Sequence, residues 1–79
     1  MSDAEILERI QKVYNRVTGR TDVILTPNTR LLKKDEVSSL TIIELVACIE
    51  DEFDIALRYS EIRSLKNVRG LMKIIRESS

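Results

Sequence analysis

No histidine and no tryptophan occur in this sequence, which holds one cysteine, one proline and two glycines. Without histidine, the chain lacks the commonest metal ligand and the side chain that most often moves protons near neutral pH. With glycine only at positions 19 and 70, no glycine-rich loop is available to wrap a phosphate. Cys48 has no partner for an internal disulfide, so nothing points to an oxidising compartment. No apolar run approaches the roughly 20 residues needed to span a bilayer. The opening residues, Met1 to Glu5, are acidic where a secretory signal would be basic and then apolar. These lacks predict a cytoplasmic protein that is not an enzyme and does not insert into a membrane.

What remains is a chain of 79 residues, 43% apolar and 33% charged, with aromatic side chains only at Tyr14, Phe53 and Tyr59. That length fits one domain over residues 1–79. A chain of this size buries only about 60% of the surface its unfolded form exposes, so the expected core is small. Thirteen basic and thirteen acidic residues give no net charge. The distribution is uneven: from 35 to 54 there are seven acids and no Lys or Arg, which leaves the rest of the chain at +7. An acidic face within 35–54 is expected.

Apolar periodicity gives the elements. Ser2 followed by Glu5 fits a capping box, and Ile6, Ile10, Val13, Tyr14 and Val17 then recur at helical spacing. Glu8 and Lys12 stand at the favourable spacing of four on the polar side, and Gly19 supplies a left-handed stop. Residues 20–37, with Pro27, Asn28 and several threonines, read as a long loop. Val23-Ile24-Leu25 has no second strand to pair with, and Leu31 and Leu32 are expected to pack on helices. Ser39 to Phe53 is the second helix. Tyr59 to Arg63 forms a short helical turn. Asn67 caps a last helix with Val68, Leu71, Met72 and Ile75 inward, weakened by Gly70 by up to about 1 kcal/mol relative to Ala. The expectation is an all-α bundle of three longer helices plus a short one.

Eight of the ten residues from Leu40 to Ile49 are apolar, and at about 100° per residue they divide into two faces. Ile42, Leu45, Val46, Ile49 and Phe53 form the core side. Leu40, Ile43 and Ala47 lie nearly opposite, flanked by Glu44, Glu50 and Asp51. Either the long loop covers this second strip or it docks a partner within an acidic rim, and spacing does not separate the two. The carboxylates at 50, 51, 52 and 54 point in different directions on a helix and read as a solvated face, with no metal site. Cys48, inside an apolar run, reads as an inert and largely buried thiol. Ser38 and Ser39 open the second helix, where serine is a favoured cap. A hydroxyl in that first turn also lies beside unpaired backbone N–H groups, which would stabilise an attached phosphodiester.

Val37-Ser38-Ser39-Leu40, followed by a helix that contains Glu44-Leu45-Val46 and ends Glu50-Asp51-Glu52-Phe53-Asp54-Ile55, resembles the central segment of acyl carrier proteins. Leu65-Lys66-Asn67-Val68, with Leu71 and Ile75, is similar to the last helix of that family, so the resemblance spans essentially the whole chain. It implies a four-helix bundle in which Ser39 carries covalent 4′-phosphopantetheine and acyl groups travel as thioesters on that arm. It further implies a phosphopantetheinyl transferase as partner. Acyl-transferring, condensing or ligating enzymes with basic docking patches would meet Leu40, Ile43, Glu44, Ala47, Glu50 and Asp51 of a monomer.

Three features depart from the family pattern. Ser38 replaces the usual Asp, a residue that aids the transferase. Asp35 and Glu36 stand where an apolar residue and Gly are usual. The chain is neutral where housekeeping fatty-acid carriers are strongly acidic. A specialised lipid, polyketide or other secondary-metabolite pathway fits these departures. The alternatives are an unmodified carrier-like docking module and an amino-acyl or D-alanyl carrier. A helical nucleic-acid binder using Arg69, Lys73 and Arg76 would need a clear excess of positive charge, which is absent.

Overall fold

A computed structural model describes residues 2–30, 39–63, 65 and 67–78. Four helices run in the order α1 (Asp3–Thr18), α2 (Ser39–Phe53), α3 (Tyr59–Arg63) and α4 (Val68–Ser78), and no strand occurs among the described residues. The all-α, four-helix expectation is met. Leu31, Leu32, Asp35, Glu36 and Ser38 lie outside the described residues.

Both ends of α1 form where the sequence predicts, although the capping box is one-sided, the Glu5 carboxylate bonding to Arg9. Ser2 Oγ accepts from Glu5 N at 3.2 Å, and Gly19, at φ 72°, donates its N–H to Asn15 O at 2.9 Å. The ion pair on this helix is Glu5–Arg9 at 3.3 Å, not Glu8–Lys12. The end of α2 is closed by Asp54 in the left-handed region, φ 53°. Ile55 N then donates back to Glu50 O at 3.2 Å, the outer bond of a Schellman motif. Asn67 caps α4, accepting from Gly70 N at 3.2 Å.

The core takes Ile6, Ile10 and Val13 from α1, Leu45, Val46, Ile49 and Phe53 from α2, and Ile62 from α3. Val68, Leu71, Met72 and Ile75 complete it from α4, and among the described residues no polar or charged one is buried. Ile42, assigned to the core side of α2, is half-buried and packs against this cluster. Cys48 is likewise half-buried, so the thiol is less enclosed than its apolar surroundings imply. Gly70 has a packing reason: a Cβ there would stand 2.8 Å from Leu65 Cδ2. The cost in helix propensity is the cost of that close approach.

The loop after α1 is held from two sides. Gln11 Nε2 donates to Val23 O at 2.9 Å, and Leu25 N donates to Gln11 Oε1 at 2.6 Å. One side-chain amide thus supplies the two bonds that a neighbouring strand would have provided for this extended segment. Leu25 is buried at 4% exposure while Ile24, between the two bonds, stands 83% exposed. A turn at Thr26–Thr29 follows, closed by Thr29 N donating to Thr26 O at 3.0 Å. Its carbonyls then meet the start of α4: Val68 N donates to Thr29 O and Arg69 N to Pro27 O, both at 2.9 Å. Together with the Asn67 cap, these satisfy three donors that a helix N-terminus leaves unpaired. Arg76 Nη1 donates to Asp3 Oδ1 at 2.8 Å and ties the end of α4 to the start of α1.

Candidate functional site

The site is built on α2, and its order follows from the helical period. Ser39 is the first residue of the helix. Along one edge, Ile43, Val46 and Glu50 follow at spacings of four, seven and eleven from position 39, each about 100° per residue in register. Beside that edge runs the strip of Leu40, Ile43 and Ala47. Leu40 is 65% and Ile43 54% exposed, and Ala47 is exposed as well. The strip therefore faces solvent, as the docking alternative requires, and the described part of the long loop packs elsewhere.

Charge on this helix is one-sided. No acidic residue stands in the first turn of α2 and no basic residue in its last. Glu44 and Asp51 are exposed, both on the Leu40 edge of the apolar strip, and Glu50 lies on the opposite, Ile43 edge. Glu50 differs from them. It is half-buried, and its Oε2 accepts from Leu57 N at 3.1 Å across the connection to α3. One rim carboxylate is thus committed inside the fold while the other two face outward.

Between α2 and that connection lies an apolar groove of about 400 Å³, lined by Ile43, Val46, Ala47, Glu50 and Leu57. Val46 is buried and forms its floor. Its α2 wall begins one turn after Ser39. Sequence reasoning assigned Val46 to the core and left Leu57 in an irregular stretch, so it did not identify the groove. No periodic signal marks a wall made by a single residue of a connector.

The residues present fit a phosphodiester-linked prosthetic group at position 39. The first turn of a helix leaves N–H groups unpaired and carries partial positive charge, which favours an anion. No carboxylate of that turn opposes it, although seven acids crowd residues 35–54. The apolar groove then begins one turn further along α2. When bound, such a group supplies a terminal thiol for thioester formation, and the chain's own residues supply attachment, orientation and recognition. Among the described residues no group of His, Cys, Asp and Glu is arranged to hold a metal, and none of the described helices is long and apolar enough to cross a membrane.

Residues 8–75 match the family model described as phosphopantetheine attachment site. An acyl carrier protein of Thermobifida fusca (strain YX) is 21% identical over 76 residues, covering 96% of each chain. An acyl carrier protein of Buchnera aphidicola subsp. Baizongia pistaciae (strain Bp) is 28% identical over 72 residues, covering 91% of this chain and 92% of its own. Among solved structures, the solution structure of holo acyl carrier protein from Geobacter metallireducens superposes with a TM-score of 0.76 at 24% identity. That match covers 91% of this chain and 83% of the other. This chain belongs to the phosphopantetheine-attachment family, whose domains carry covalent 4′-phosphopantetheine and are carriers, not enzymes.

Proposed function

We propose that this protein is an acyl carrier that holds acyl intermediates as thioesters on 4′-phosphopantetheine attached to Ser39. A phosphopantetheinyl transferase installs the arm. Acyl-transferring, condensing or ligating enzymes with basic patches then dock on Leu40, Ile43 and Ala47 within the exposed rim of Glu44 and Asp51, with Glu50, whose carboxylate is bonded to Leu57 N, at its inner edge. The observation that carries this reading is the place of Ser39: it opens α2 at an acid-free first turn, directly beside an exposed apolar strip. A net charge of zero and Ser38 in the position before the attachment serine favour a carrier dedicated to a specialised lipid or secondary-metabolite pathway.

The basic stripe does not favour the nucleic-acid alternative. Arg76 is engaged with Asp3, and phosphate-driven binding would have to oppose the acidic segment.

Intact-mass measurement after co-expression with a broad-specificity transferase tests the assignment. A prosthetic-group mass on the natural chain and none on Ser39→Ala is expected. Ser38→Asp should load faster, since Asp also suits the positive end of a helix. Normal loading of Ser39→Ala would overturn the attachment site.

A further inference from the structure

The groove beside α2 has an unequal construction. Ile43, Val46, Ala47 and Glu50 come from one regular helix, whereas Leu57 alone lines it from the connection between α2 and α3. Residues 55–58 belong to no helix or strand, so nothing periodic fixes where Leu57 stands. The side chains of Ile55 and Leu57 pack against the core, and two bonds from their backbone N–H groups add to that hold, both ending on Glu50. Its carbonyl accepts from Ile55 N at 3.2 Å, and its carboxylate accepts from Leu57 N at 3.1 Å. Beyond Leu57, Arg58 O accepts from Glu61 N at 3.0 Å and from Ile62 N at 3.2 Å, and Ile62 is buried in the core. Glu50 therefore fixes the Leu57 backbone from the α2 side, and the start of α3 takes over at Arg58.

The carboxylate is an unusual group for this place. It lines a groove whose other four side chains are all apolar, and it has a half-buried backbone donor as partner. A hydrogen bond to an ionised acceptor is stronger than one between neutral groups, which suits the bond that fixes the Leu57 backbone. Glu44 and Asp51, exposed on the same helix, have no such role.

We propose that Glu50 is a positioning residue: by holding Leu57 through its carboxylate, it sets the width of the groove and hence the acyl chain the carrier shelters. This rests on the acyl-carrier reading for the occupant, though not for the latch itself. From Ile43 to Glu50 the wall spans about 10 Å of helix, a length suited to a medium acyl chain lying along apolar side chains.

Amide hydrogen exchange on the unloaded protein tests the latch, and acyl loading tests the occupant. In Glu50→Ala the Leu57 amide should exchange about tenfold faster, the loss expected for one charge-assisted bond, while the Ile49 amide in the core keeps its rate. Glu50→Gln retains an oxygen acceptor without the charge and should stay within about threefold of the natural protein. In the loaded natural protein, octanoyl should shift the Val46 and Leu57 amide resonances where acetyl does not. Octanoyl-loaded Glu50→Ala should lose that difference and release its thioester to hydroxylamine several-fold faster. Unchanged Leu57 exchange in Glu50→Ala would overturn the proposal. So would equal acceleration in Glu50→Gln, because an acceptor oxygen retained at that position would then make no difference. If octanoyl and acetyl gave identical resonances in the natural protein, the acyl occupant would fall, while the exchange rates would separately decide the latch.

Discussion

Replacing Gln11 with Ala should destabilise this protein far more than its half-buried place on a polar helix face implies. The side chain makes three hydrogen bonds: to Val23 O at 2.9 Å, from Leu25 N at 2.6 Å and to Asn15 Oδ1 at 2.9 Å. The bond to Asn15 lies between neighbours on one helix and contributes little. The other two are the ones that hold residues 23–25 extended, and a typical bond contributes about 1 kcal/mol net. Leu25 N lies in a part-buried setting, and a buried donor left without a partner costs about 1–3 kcal/mol. Against this, Ala is the best helix former, worth a few tenths of a kcal/mol over Gln. The balance is a loss of about 2 kcal/mol. For a domain of this length each kcal/mol moves Tm by about 4–8 °C, so Tm should fall by about 8–16 °C. Gln11→Glu separates the two bonds, since a carboxylate accepts from Leu25 N yet opposes Val23 O with like polarity. It should fall between the natural protein and Gln11→Ala. Urea unfolding monitored by circular dichroism, with hydrogen exchange at the Leu25 amide, reads both. A change below about 0.5 kcal/mol in Gln11→Ala, the range of an ordinary surface substitution, would refute the idea that this amide replaces a strand.

Five other substitutions divide surface from structure. Ile43→Asp should change stability by less than about 1 kcal/mol because the side chain is half exposed, whereas Ile49→Ala, fully buried, should cost about 2–5 kcal/mol; partner affinity measured beside urea unfolding should drop for Ile43→Asp. Glu44→Lys should slow partner association at low salt and lose that effect as ionic strength rises, since exposed charges beyond about 8–10 Å are screened under physiological conditions. Gly19→Ala should destabilise by about 1–2 kcal/mol, because φ 72° is a left-handed conformation that a Cβ opposes. Asp54→Gly, at φ 53°, should stabilise by up to about 1 kcal/mol by removing the same strain, and thermal unfolding of the pair should show opposite signs.

Much of this architecture is written in local patterns. The inner faces of α1 and α4, the two faces of α2, the Ser2 and Asn67 caps and the Gly19 stop each depend on residues within a turn or two of one another. Helical spacing and side-chain chemistry reach that far. The exposed strip of Leu40, Ile43 and Ala47 followed from the same periodicity, since eight apolar residues in ten exceed what one buried face holds. Whether loop or solvent met that strip was open, because exposure is a property of what else packs nearby.

The tertiary structure alone decided the contacts made across long sequence separations by residues with no pattern of their own. Gln11 reads as one more polar residue on α1, yet its amide anchors a segment twelve to fourteen positions away. Glu50 reads as one of four carboxylates, equal to Glu44 and Asp51 on the rim. Only the path of the connector after Asp54 brings Leu57 N within hydrogen-bond distance of it and turns a surface acid into the holder of a groove wall. Periodicity says which way a side chain points from its own helix. It carries no information on which irregular backbone will stand opposite, and in this protein that is where the groove is made.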